Sequence, residues 1–177
     1  MTSALTEAVS TSRETAPAID VPVLRRAAMD VLARREHSFY ELQQKLGKKF
    51  PDTDPALINE VLKQLGQENL QSDARFAESY VRYRKSRGFG YHHIRIDLAT
   101  RRVAEELINQ VLFEDDEDWR AMAVTLTANR TDPESPLLFG SKAHRRLLRF
   151  LESRGFPRSV IRQTLDDVLK DQGQSAA

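Results

Sequence analysis

Seven apolar positions recur at a fixed spacing, and this repeat constrains the chain more than any other feature. Ile94, Leu98, Val103, Leu107, Ile108, Val111 and Leu112 register on Leu147, Leu151, Phe156, Val160, Ile161, Thr164 and Leu165 at an offset of 53, and six of the seven pairs are apolar in both members. Within each set the steps are one, three, four or five residues, the spacing of buried faces on two helices joined by a turn. A third copy registers at an offset of 52, with Leu24, Ala28, Val31 and Leu42 on Phe76, Tyr80, Tyr83 and Ile94. A unit of about 50 residues buries too little surface to stand alone, so stacked neighbours must share burial, as in solenoids. The pattern predicts an all-α chain of three tandem three-helix repeats in an elongated, curved arrangement. The repeats span 21–71, 72–114 and 115–171, between a disordered N-terminal tail at 1–20 and a short C-terminal tail at 172–177. Seven glycines and seven prolines are too few for a chain of many tight β-turns.

Local signals punctuate these helices. Ser38 with Glu41 three residues on forms a capping box, and Asp54 before Pro55 offers an N-cap followed by Pro at N1. Gly66 is a candidate stop. Asp73 is placed to cap the helix that carries Phe76, Ala77, Tyr80, Val81 and Tyr83, and the repeat register assigns Tyr83 to the core. Gly88 to Gly90 breaks that helix. Thr131 to Phe139, with Pro133 and Pro136, reads as a loop, Arg154-Gly155 as a helix end, and Pro157 as the opening of the last helix. The acidic run Glu114 to Asp118 reads as a solvated linker whose charge favours the start of the Trp119 helix.

No catalytic or cofactor constellation emerges. The chain has no Cys, which removes disulfides, thiolate metal sites and a cysteine nucleophile. His37, His92, His93 and His144 form no metal-ligand spacing, and Gly88-Phe89-Gly90 follows a helix and lacks the third Gly of a dinucleotide fingerprint. No phosphate-binding GxxxxGK[ST] occurs. The expectation is a protein that is not an enzyme and uses no cofactor or metal. No apolar run approaches the ~20 residues of a membrane span, and residues 1–20 lack the apolar core of a targeting segment. A cytoplasmic monomer without membrane contact is expected.

Charge carries the functional signal once it is sorted by position. Lys and Arg number 27 against 26 Asp and Glu, a net charge of +1. Residues 82–102 nevertheless hold Arg82, Arg84, Lys85, Arg87, Arg95, Arg101 and Arg102 against Asp97 alone. Residues 142–162 hold Lys142, Arg145, Arg146, Arg149, Arg154, Arg158 and Arg162 against Glu152 alone. Both windows centre on the middle helix of a repeat, and Arg34, Arg35, Lys45, Lys48 and Lys49 hold a similar place in the first. Guanidinium groups suit phosphate or carboxylate. The rows therefore fit a nucleic-acid backbone, an acidic protein surface, both together, or an ordinary solvated face. No base-reading motif is present.

The signature residues resemble a known family. Ala33, Arg34, Arg35, Glu36, His37 and Ser38, followed by Glu41-Leu42 and Lys45-Leu46, look like the opening of the bacterial recombination regulator family RecX. Ser72, Asp73, Arg75, Phe76, Ala77 and Glu78, then Tyr80, Val81, Arg82 and Arg87-Gly88, match its central signature. Phe150-Leu151, Arg154-Gly155-Phe156 and Val160-Ile161 resemble its C-terminal repeat. The resemblance covers about Val23 to Lys170. It implies three tandem three-helix repeats. It also implies binding to the RecA filament on single-stranded DNA and inhibition of RecA's recombinase, ATPase and coprotease activities. The expected contacts are Arg82, Arg84, Lys85, Arg87, Arg95, Arg101 and Arg102, with Lys142, Arg145, Arg146 and Arg149. The alternative is a stand-alone, sequence-nonspecific DNA-binding protein. One departure is Arg102, where the family usually carries Gly, so that helix is expected to end with strain or a longer turn.

Overall fold

The structure is a computed structural model that describes residues 20–131 and 137–174; the tail at 1–19, the last three residues, and Pro133 and Pro136 of the loop lie outside the described residues. Among the described residues there are nine helices and no strand. Unit 1 comprises α1 (Val21–Leu32), α2 (Phe39–Lys49) and α3 (Pro55–Gln67). Unit 2 comprises α4 (Asp73–Ser86), α5 (Tyr91–Thr100) and α6 (Glu105–Val111). Unit 3 comprises α7 (Asp118–Ala128), α8 (Lys142–Arg154) and α9 (Arg158–Gln174). The repeat register is a register of burial: Ile94, Leu98, Val103, Ile108 and Leu112 are buried, as are Leu147, Leu151, Phe156, Ile161 and Leu165.

The caps show how sequence sets each boundary. Ser38 accepts from the Glu41 amide (3.1 Å) and Asp54 from the Ala56 amide (2.8 Å), as the capping patterns predict. At α4 the cap is Ser72, which accepts from the Arg75 amide at 3.3 Å, not Asp73. The Asp73 carboxylate instead accepts from the Phe39 amide (2.7 Å) and from Gln71 (2.8 Å), so it braces unit 1. Helix α3 runs past Gly66 to Gln67 and closes with left-handed Asn69 (φ 57°). Tyr83 is 56% exposed rather than core, because the apolar face of α4 is spent on Phe76, Ala77 and Val81.

The middle helices dock end to end. Gly90 opens α5 without a side-chain cap. Its amide donates to the Arg154 carbonyl (2.8 Å), and the His92 amide donates to the Gly155 carbonyl (2.9 Å). Orphan amides at the start of α5 thus meet orphan carbonyls at the end of α8, positive dipole end to negative. Only glycine permits this approach. A Cβ on Gly90 would lie 2.6 Å from the Gly155 carbonyl oxygen, and one on Gly155 (φ 81°) would lie 2.4 Å from the His93 nitrogen. Between units 1 and 2 the same joint is made through a side chain: Ser38 Oγ donates to the Arg101 carbonyl at 3.1 Å.

Arg102 occupies the position of Gly155 in the register and keeps its left-handed conformation (φ 55°). Its amide donates to Ala99 (2.9 Å) and that of Val103 to Leu98 (3.2 Å), a complete Schellman motif. The turn is not lengthened; it carries the strain instead.

Two hydrophobic cores result. Units 2 and 3 share one, with Trp119 and Phe156 edge to face at 6.4 Å. Unit 1 has its own, built from Leu24, Leu42, Leu46, Ile58, Leu62 and Leu65. Unit 1 is tied to unit 2 by polar contacts instead, notably Glu36 with Arg75 (2.8 Å) and Glu41 with Arg101 (3.1 Å).

Substituting Gly155→Ala should destabilise the protein by about 2–4 kcal/mol, from left-handed strain plus overpacking against α5, as read by urea denaturation. Arg102→Gly should act in the opposite direction, gaining up to about 1 kcal/mol as the left-handed penalty is relieved.

A cationic face and an internal arginine ladder

The eleven cations expected at the contact surface divide into two groups. Arg84, Lys85, Arg95 and Arg101 are committed inside the molecule. Arg84 donates to Asp97 (2.6 Å) and to His93 Nε2 (2.8 Å), which fixes that imidazole nitrogen as an acceptor. Lys85 lies 2.5 Å from Asp116, 3.0 Å from Asp118 and 4.5 Å above the Trp119 ring. Burial opposes the Lys85 charge, but hydrogen bonds to the two aspartates outweigh it and raise the pKa; Asp116 is correspondingly held low. The acidic run is therefore more than a solvated linker, since two of its carboxylates clamp α4 to the start of unit 3. Arg95 pairs with Glu105, and Arg101 with Glu41 and more loosely with Asp97 at 3.8 Å.

These arginines also form a ladder with aromatic rings. Arg101 lies over Tyr80 (4.6 Å), and Arg84 lies between Tyr80 (5.8 Å) and Phe89 (3.7 Å). Arg154 lies between Phe89 (4.7 Å) and Phe150 (5.3 Å), and Arg130 lies over Phe150 at 3.8 Å. Each desolvated step of this kind contributes about 1–2 kcal/mol. Tyr80 also donates to Asp97 (3.0 Å); burial and that hydrogen bond push its pKa up to about 12.

The second group faces outward. Arg82 is 72% exposed, with only a loose 3.9 Å approach to Glu78. Arg87 and Arg102 are exposed, Arg102 stacking on Tyr40 at 4.5 Å. Lys142, Arg145, Arg146 and Arg149 are exposed on α8, and none has a carboxylate partner among the described residues. Their spacing of three and four residues sets all four on one arc of the helix, opposite buried Leu147 and Leu151. Like charges at this spacing repel. They also crowd the positive end of the helix dipole, where Ser141 caps the chain. This face costs stability locally, so folding does not account for it.

Among the described residues no cluster of three or more His, Asp or Glu side chains could hold a metal, and no described helix is long and apolar enough to cross a membrane. Two clefts of about 750 Å³ each lie at the two joints. One involves Arg87, Phe89, Leu126 and Arg154, the other Arg35, Tyr80, Arg84 and Arg101.

Fold and surface together define a tandem three-helix-repeat protein, with its arginines divided between an internal ladder and an outer cationic face. The chain belongs to the RecX family of regulatory proteins. The model for the family's second three-helix domain matches residues 72–112. Regulatory protein RecX of Pseudomonas putida (strain GB-1) is 39% identical over 148 residues, 83% of this chain and 92% of that protein. The same-named protein of Halorhodospira halophila is 37% identical over 139 residues, 78% and 84% of the two chains. The crystal structure of RecX from Lactobacillus salivarius superposes with a TM-score of 0.71 over 84% of this chain and 96% of that one, at 20% identity. A second crystal structure of a regulatory protein RecX gives a TM-score of 0.63 at 24% identity, over 82% and 73% of the two chains.

His37 at the joint of units 1 and 2 generates a pH dependence. It is buried, with Nδ1 2.8 Å from Glu41 Oε2. Burial lowers its pKa below 6.5, against the pull of Glu41 and with the push of Arg35 and Lys45. The unfolded chain therefore takes up the proton first, and stability falls as pH drops below the ordinary histidine value. Burial raises Glu41, but its hydrogen bonds to Arg35 and His37 dominate and lower its pKa, so its contribution is also lost toward acid. Thermal melts should weaken between about pH 6.5 and 5, and His37→Gln should flatten that stretch.

Proposed function

We propose that this chain regulates homologous recombination and DNA repair by binding the RecA filament on single-stranded DNA and inhibiting RecA's recombinase, ATPase and coprotease activities. Membership of the RecX family supports a regulatory role, and the resemblance of the signature residues supports RecA as the partner. The single observation that carries the reading is the cationic arc of α8, Lys142, Arg145, Arg146 and Arg149, which has no carboxylate partner among the described residues. An intramolecular role would supply carboxylates, as it does for Arg84, Lys85, Arg95 and Arg101. A filament offers phosphate and acidic protein surface at repeated intervals, and a row of guanidiniums on a rigid helix engages both. Arg82, Arg87 and Arg102 supply a second exposed group on unit 2, so a monomer would touch the filament at more than one point. The near balance of total charge argues against an indiscriminate polyanion binder.

Reversing Arg145, Arg146 and Arg149 to Glu should weaken inhibition of RecA's DNA-dependent ATPase at least about tenfold, since each phosphate contact removed lowers affinity and salt dependence together. Helicity should stay intact, because no carboxylate partner among the described residues is orphaned. Arg84→Glu should instead unfold the unit 2 core by facing Asp97 with a like charge. Equal affinity for naked single-stranded DNA and for RecA-coated DNA would favour the stand-alone DNA-binding alternative.

A further inference from the structure

An exposed aromatic ring lies beside the cationic face of α8. Phe139 is 81% exposed, more than any other large apolar side chain described, and Leu138 beside it is 66% exposed. Burying a ring of this size contributes about 1.5–3 kcal/mol, and this one forgoes that gain. The ring is nonetheless held in place, its centroid 5.1 Å from that of His144. It forms the lip of a groove of about 260 Å³ between α8 and α9, floored by Leu148, Ile161 and Leu165.

Guanidiniums flank this groove on both sides. Arg158 and Arg162 line it from α9. On α8, Arg145 and Arg149 each directly follow a groove residue, His144 and Leu148, which places them on the adjoining flank of the helix. None of the four has a carboxylate partner among the described residues. Glu152 and Asp166 also line the groove and oppose phosphate at their own positions. An exposed ring on an apolar slot between two rows of cations combines the two elements that hold a single strand: a π face for a base and partners for the phosphates. A duplex keeps its base faces covered by neighbouring pairs and has no use for the ring.

We propose that the α8–α9 groove binds single-stranded nucleic acid, with one base stacked on Phe139 and the backbone carried by Arg145, Arg149, Arg158 and Arg162. This rests on the reading that the outer face of α8 meets nucleic-acid phosphate within the filament, and it assigns the base contact that a phosphate-only face lacks.

The test uses the full chain and fluorescence anisotropy with two labelled strands of equal length, oligothymidylate and an abasic deoxyribose-phosphate strand, at low salt. Phe139→Ala and Phe139→Leu should weaken oligothymidylate binding about 5- to 100-fold, in line with the loss of one stacked base. Phe139→Trp should restore it. Binding of the abasic strand, the salt dependence and the melting temperature should be unchanged, since the ring is exposed and uncharged. Parental affinity of Phe139→Ala for oligothymidylate, or an equal loss on both strands, would overturn the inference. So would a variant that loses filament inhibition yet binds oligothymidylate normally: the ring would then meet protein, and the filament reading would survive. Undiminished oligonucleotide binding and filament inhibition in Arg145→Glu/Arg149→Glu would instead remove the phosphate face on which both readings stand.

Discussion

The end-to-end docking of the middle helices governs the architecture. A helix leaves amides unpaired at its start and carbonyls unpaired at its end, and here one helix supplies what the next lacks. The end of α8 meets the start of α5 through two backbone hydrogen bonds, and the end of α5 meets the start of α2 through Ser38. The repeat spacing of 52 to 53 residues follows, because every unit must bring its middle helix back to the same point on its neighbour. The glycines at 90 and 155 are fixed by this geometry: one lets two backbones touch, and the other also adopts a positive φ.

The two joints differ in kind. Where both facing residues are glycine, the units close enough to share one continuous core. Where Ser38 and Arg102 stand instead, side chains fill the gap and the cores stay separate. The second joint is therefore a polar seam, with Glu36, His37 and Glu41 on one side and Gln71, Asp73, Arg75 and Arg101 on the other. Hydrogen bonds in a half-buried seam contribute less per contact than a shared apolar core and depend on protonation. Unit 1 is accordingly the part of the molecule whose attachment responds most to pH.

The fold was legible in the sequence because burial is periodic: the seven register pairs from Ile94 to Leu112 need only helical spacing to be seen. The charge pattern was half legible. Counting cations in a window treats all of them as available, but partners arrive from far along the chain, as Glu41 does for Arg101 across 60 residues and Asp116 does for Lys85 across 31. Nothing local marks Arg84 as a ladder rung between Tyr80 and Phe89. The α8 arc was legible, since its four cations stand three and four residues apart with no acid among them. Asp73 misled for a related reason: a helix-start aspartate normally caps its own helix, but Ser72 already does so, which frees the carboxylate to reach Phe39. Phe139 carried no signal, because a loop phenylalanine in sequence is as readily buried as exposed.

The family match and the charge division support each other. A solenoid of small units needs internal ties, and arginine makes them well because it stacks on rings and forks to carboxylates at once. The same residue type, without a carboxylate partner among the described residues, is left on α8 with its guanidinium in solvent. The molecule separates the two states residue by residue: the guanidiniums of Arg84, Arg95, Arg101 and Arg154 face carboxylates or aromatic rings, while those of Arg82, Arg145, Arg146 and Arg149 are exposed. The balance of total charge keeps the long-range field weak, so affinity must come from contacts at close range. Such contacts require a partner of matching shape, and that requirement suits a protein–DNA filament better than free DNA.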